Sequence, residues 1–60
     1  MDAMRAQEII ESAKEHLVYF NGTRIWIQRV NEELNTARIF PATDPNDEMT
    51  VPLDQLREQH

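Results

Sequence analysis

"YFNGTRIWIQRV", residues 19–30, decides the fold. Asn21-Gly22 sits between two apolar runs, and both residues tolerate the positive φ that a type I′ turn demands. An Asn-Gly pair in that setting is the strongest short-range hairpin signal. A two-residue loop fixes the register, pairing Phe20 with Thr23, Tyr19 with Arg24, Val18 with Ile25 and Leu17 with Trp26. Side chains alternate across a strand, so the hairpin sorts into two faces. One carries Val18, Phe20, Ile25 and Ile27; the other carries Leu17, Tyr19, Arg24, Trp26 and Gln28. Only one of these faces can be the core of a small sheet.

Upstream, residues 3–15, "AMRAQEIIESAKE", predict a helix. Ala6, Ile9, Ile10, Ala13 and Leu17 follow the i, i+3, i+4, i+7 spacing of an apolar stripe. Asp2 suits the N-cap, where its carboxylate accepts from free backbone N–H groups. Downstream, "NEELN" predicts a second turn with Asn35 in a left-handed conformation. "TARIF" predicts a third strand ended by Pro41. A five-residue loop sets Ile27 beside Ile39 and Trp26 beside Phe40, and a slip or bulge of one residue would exchange the faces. "ATDPNDE" reads as an acidic turn, and "MTVPLDQL" as a short last strand to Val51 followed by a helical turn begun at Pro52. Leu53 and Leu56 are expected to fold back onto the core.

The expected fold is therefore α+β in one domain, residues 1–60. An N-terminal helix precedes a three- to four-stranded antiparallel meander that ends in a short helical turn. Short, curved strands closed by one turn suggest an SH3-like half-barrel, with an open α+β sandwich as the alternative.

A 60-residue chain buries only about 60% of the surface its unfolded form exposes, so its core leaves a narrow stability margin. Small domains often add disulfides or a metal. With no cysteine, disulfides and thiolate zinc sites are excluded, which leaves regular packing or a second subunit. Eleven acidic residues against six basic ones give a formal charge of −5. That balance argues against nucleic acid and anionic lipid as partners, since both are bound by neutralising phosphates. "MDAMRAQEII" carries neither a basic n-region nor a long apolar run, so no signal peptide or membrane span is expected.

No constellation points to catalysis. His16 lies at the helix-to-strand junction, without the second histidine one turn away that a zinc helix supplies, and is expected to sit against the negative end of the helix dipole. His60, the last residue, is expected to have no role. Glu32-Glu33 and Asp44/Asp47/Glu48 lack the glycine and bidentate glutamate spacing of a calcium loop. Ser12, Thr23 and Thr50 have no histidine base adjacent in sequence, and one glycine cannot build a phosphate loop. The expectation is no enzyme activity, no cofactor, no metal and no small-molecule substrate.

What remains is the second face. Leu17, Tyr19, Arg24, Trp26, Arg38 and Phe40 form one aromatic and arginine-bearing patch. Aromatics and Arg anchor protein interfaces and also stack on unpaired bases. A small domain seldom leaves such groups bare, so the patch is expected to be covered by the N-terminal helix or by the same face of a second subunit. A homodimer is accordingly the expected partner state. The alternative is a nucleic-acid module using Tyr19, Trp26, Phe40, Arg24 and Arg38.

Four strings in order, "RAQEIIESA", "NGTRIWIQRVNEE", "TARIF" and "TVPLDQL", resemble the H-type small acid-soluble spore proteins over nearly the whole chain. Arg29 stands where that pattern has His, and "NEELN" replaces a turn containing Asp or Gly. The resemblance implies a low-mass protein of the forespore and spore core, with no enzyme activity and no cofactor. It does not imply the DNA coating of the separate DNA-saturating spore proteins.

Overall fold

The computed structural model describes residues 1–59; His60 lies outside the described residues. Helix α1 (Ala3–Glu11) starts at Asp2, whose Oδ1 accepts from the Arg5 N–H at 2.7 Å. It stops at Ser12, short of the expected residue 15. The reason is local: Ser12 Oγ accepts from the Lys14 N–H at 3.0 Å and lies 3.1 Å from His16 Nε2. A serine hydroxyl that bonds the next turn's backbone competes with helix continuation. Ala13 and Leu17 are exposed as a result, while Ala6 is buried and Ile9 packs against the core.

Five strands follow, one more than the upper expectation: β1 (Leu17–Phe20), β2 (Thr23–Asn31), β3 (Thr36–Pro41), β4 (Met49–Pro52) and β5 (Leu56–Gln59). Asn21 at φ 50° and Gly22 at φ 77° make the predicted turn, and Val18–Ile25, Tyr19–Arg24 and Phe20–Thr23 pair as read from the sequence. Asn35 adopts φ 56° in the second turn. Ile27–Ile39 and Trp26–Phe40 also pair as expected. Beyond Ile27 the register shifts, and Arg29 faces Arg38 while Val30 faces Ala37. This is a β-bulge in which Gln28 and Arg29 oppose the single residue Arg38. The extra residue reverses the alternation, turning Val30 inward and Arg29 outward.

The strand order is β4-β3-β2-β1-β5, with every neighbouring pair antiparallel. In a flat five-stranded sheet the outer strands would lie about 19 Å apart, at about 4.8 Å per strand. Yet β4 and β5 are joined only by the 3-10 helix Leu53–Gln55. Three residues of 3-10 helix advance about 6 Å. The sheet must therefore coil until its two edges approach, which makes it a half-barrel. Leu53 N–H donates to the Asn35 carbonyl at 3.0 Å, and the N-terminal ammonium reaches the Leu53 carbonyl at 3.3 Å. These bonds tie the closing turn to both the second hairpin and the chain start.

Inside the coil lie Val18, Ile25, Ala37, Ile39, Val51, Leu53 and Leu56, with Ala6 of α1 as the lid. Ile39 and Leu53 are wholly inaccessible to solvent. The helix thus covers the face carrying Val18 and Ile25, and not the face carrying Trp26. On β4, alternation of the ladder from the Leu53–Asn35 bond turns the backbone of residues 50 and 52 outward. Proline at 52 offers no N–H there, which blunts this edge against strand addition.

Candidate interaction face

Cross-strand partners share a face, so the registers assemble the outer surface directly. Arg57 of β5 stands beside Tyr19 of β1, and Tyr19 beside Arg24 of β2. Trp26 stands beside Phe40 of β3, and Arg38 lies between Arg29 and Thr50. All six residues expected on the patch are there: Leu17, Tyr19, Arg24, Trp26, Arg38 and Phe40. Two that sequence reasoning missed join them, Arg29 through the bulge and Arg57 through the fifth strand. Three of the four aromatic residues and four of the six cations of the chain therefore occupy one face. The two remaining cations, Arg5 and Lys14, lie elsewhere on the chain, and two of the 11 carboxylates, Glu15 and Glu48, pair with arginines of this face.

The first cover of Trp26 is Arg24. Its guanidinium carbon lies 5.0 Å from the centroid of the indole ring, within cation–π range. Arg24 Nη2 is held in turn by the carboxylate of Glu15, from the segment joining α1 to β1. Arg24 Nε is buried with no hydrogen-bond partner among the described residues, so the ring face takes the place of an acceptor. Even so, Trp26 is 39% exposed and Leu17 37%. Arg38 reaches Thr50 Oγ1 at 3.1 Å and Glu48 Oε1 at 3.5 Å, across exposed surface. Arg29, opposite Arg38, is exposed, and like charges directly across a ladder destabilise it.

A second polar cluster lies on the other side. Arg5 Nε and Nη2 donate to the two oxygens of Glu58 at 2.8 and 2.5 Å, a bidentate pair between α1 and β5. Hydrogen bonding to Glu58 holds the Arg5 pKa above its ordinary value. His16 Nδ1 is 3.8 Å from Glu58 Oε2, and His16 Nε2 is 3.1 Å from Ser12 Oγ. Ser12, His16 and Glu58 thus stand in the order of a hydrolytic relay, which the sequence did not reveal. The geometry is that of a brace instead: 3.8 Å exceeds hydrogen-bond reach, and Arg5 already engages both Glu58 oxygens. Among the described residues no group of three or more His, Asp or Glu side chains is placed to hold a metal ion, and no helix is long and apolar enough to cross a membrane.

Residues 1–58 match the small acid-soluble spore protein H family. The chain belongs to that family. It is 52% identical over 58 residues to small, acid-soluble spore protein H of Bacillus licheniformis, covering 97% of this chain and 98% of that protein. The Bacillus subtilis protein of the same name is 48% identical over the same coverage. Small, acid-soluble spore protein H 1 of Geobacillus kaustophilus is 41% identical, covering 97% of each chain. No solved structure matches the chain. As an H-family protein it is a sporulation protein, with a place in the sporulating cell or spore, and the α+β half-barrel described above is its fold.

Proposed function

We propose that this H-family protein acts in the spore core without catalysing a reaction, and that its work is done by the outer face of its sheet. In this reading the face is covered by a second copy of the chain. The observation that carries it is the segregation of side chains by the sheet. Apolar residues fill the coil, whereas Trp26, Tyr19, Phe40 and four arginines gather on the side that α1 leaves open. Aromatic and Arg side chains are the residues that most often anchor interfaces. Self-association would also add stability to a chain with a small core.

Sedimentation equilibrium over a range of concentrations, with Trp26→Ala beside the unaltered chain, tests the reading. Association by the unaltered chain, lost in Trp26→Ala, is expected. A monomer at every concentration removes the self-association part. Fractionation of spores, with antibody detection in core, coat and cortex extracts, tests the location separately.

A further inference from the structure

The outer face is poorly matched to itself. Glu15 and Glu48 pair with Arg24 and Arg38 of this face, but Arg29 and Arg57 are exposed. Two copies set face to face would therefore oppose an excess of positive charge, and on each face Arg29 already stands against Arg38 across the ladder. Opposed like charges at an interface cost affinity and misdirect encounter. The complement of the outer face lies elsewhere on the same molecule, on the solvent side of α1.

There Met4, Gln7, Glu8 and Glu11 follow the spacing i, i+3, i+4, i+7, and all four are exposed. This is a second stripe, distinct from the one that carries Ala6 and Ile9 to the core. Met4 is 74% exposed, the highest value among the large apolar residues left on the surface. Glu8 and Glu11 supply carboxylates; the neighbouring cation, Arg5, lies 3.9 Å from Glu8 through Nη1 but spends its bidentate hydrogen bonds on Glu58 of its own chain. The nine residues of α1 extend about 14 Å, short enough to lie across a sheet whose strands repeat every 4.8 Å or so. Methionine sulfur packs favourably against aromatic rings, and the outer face offers Trp26 and Phe40 at adjacent positions.

We propose that copies of the chain stack head to tail, the outer stripe of α1 of one copy lying on the arginine and aromatic face of the next. Met4 meets the Trp26–Phe40 pair, and Glu8 and Glu11 face the positive field of the arginines that flank it, Arg29 and Arg57. This proposal rests on the reading that a second copy covers the face, and adds the surface that copy presents. The contact is heterologous, so every stack keeps one free helix stripe at one end and one free sheet face at the other and is open-ended. A contact of this kind covers on the order of a tenth of the 4302 Å² surface of each partner, which places it among weak, concentration-dependent interfaces.

Two charge-reversed variants test it, each altered only at exposed positions: Glu8→Lys with Glu11→Lys, and Arg29→Glu with Arg57→Glu. Circular dichroism and thermal melting establish that both fold. In sedimentation velocity at low salt the unaltered chain is expected to form species beyond two chains, and each variant alone to remain a monomer. An equimolar mixture of the two is expected to regain stacking with the two variants alternating, because the intact stripe of one meets the intact face of the other and the reversed stripe meets the reversed face. A chain carrying all four substitutions regains stacking, since both charge patterns are exchanged. If the unaltered chain stops at a dimer and the mixture does not assemble, the head-to-tail arrangement is overturned while self-association stands. If the unaltered chain is a monomer up to about 1 mM, both fail. Binding of single-stranded oligonucleotide by the unaltered chain, abolished by Arg29→Glu with Arg57→Glu but untouched by the helix variant, also overturns it.

Discussion

Ile39→Ala is the perturbation that most sharply tests how the side chains are sorted. Ile39 is wholly buried at the centre of β3, facing Ile27 on one side and Met49 on the other. Replacing it by Ala removes about three carbon groups, or roughly 2.4 kcal/mol of transfer free energy at about 0.8 kcal/mol each. The cavity left behind raises the cost into the range of about 2–5 kcal/mol seen for such truncations. A chain of this length has only about 3–9 kcal/mol of stability in total. The substitution therefore removes about a fifth or more of it, and lowers the melting temperature by about 8–40 °C. Ile39→Val, which keeps most of the packing, costs about 0.5–1.5 kcal/mol. Leu17→Ala, on a residue 37% exposed at the start of β1, costs less than Ile39→Ala. Urea titration followed by far-ultraviolet circular dichroism gives all three. If Leu17→Ala costs as much as Ile39→Ala, the two faces have been assigned wrongly.

Further outcomes follow from the same structure. Gly22→Ala places a methyl group in open space, so its cost is conformational, about 1 kcal/mol for a positive φ, and shows as a small shift in the urea midpoint. Deleting Gln28 leaves Arg29–Arg38, Val30–Ala37 and Asn31–Thr36 as a regular continuation of the ladder. That variant is expected to fold with Val30 still protected, and to lose less than Ile39→Ala; loss of Val30 methyl contacts in a nuclear Overhauser spectrum refutes the bulge. Glu58→Gln uncouples α1 from β5, and hydrogen exchange should show α1 amides exposed before those of β2. Arg5 is held above its ordinary pKa, so its contribution is complete below that value and lost only in strong alkali. The difference in urea midpoint between Glu58→Gln and the unaltered chain is therefore expected to be equal at about pH 7 and about pH 9. Glu15→Gln releases Arg24 from its anchor, and raises acrylamide quenching of Trp26.

The first hairpin was legible because its information is local: Asn21-Gly22 permits one turn, and that turn sets three cross-strand pairs. Leu17, Tyr19, Arg24 and Trp26 of the patch follow from it, while Arg38 and Phe40 follow from the five-residue second turn. Arg29 was not legible from alternation alone, because the bulge depends on how β2 must bend to close the coil. A trace of it is present, since Ile25, Ile27 and Val30 step by two and then by three. The fifth strand is not legible because "LREQ" has one apolar residue, and its pairing with β1 is long-range, with 41 residues and three strands lying between Leu17 and Gln59. Apolar spacing predicts a helix that runs too far because Ala13 and Leu17 fit its period, while the Ser12 turn that ends it depends on a hydroxyl. The Ser12–His16–Glu58 brace could not be read at all, since Glu58 arrives from the far end of the chain.

The sheet has one core face, and we propose that a second copy covers the outer one. Trp26 is the only tryptophan, and reports on the outer face directly. Acrylamide quenching of its fluorescence, measured in dilute and in concentrated protein, is the most direct test. Ready quenching is expected when dilute, as befits 39% exposure, and marked protection as concentration rises. Quenching that is low in dilute protein and unchanged on concentration would contradict it, because the indole would then belong to the core of a single chain.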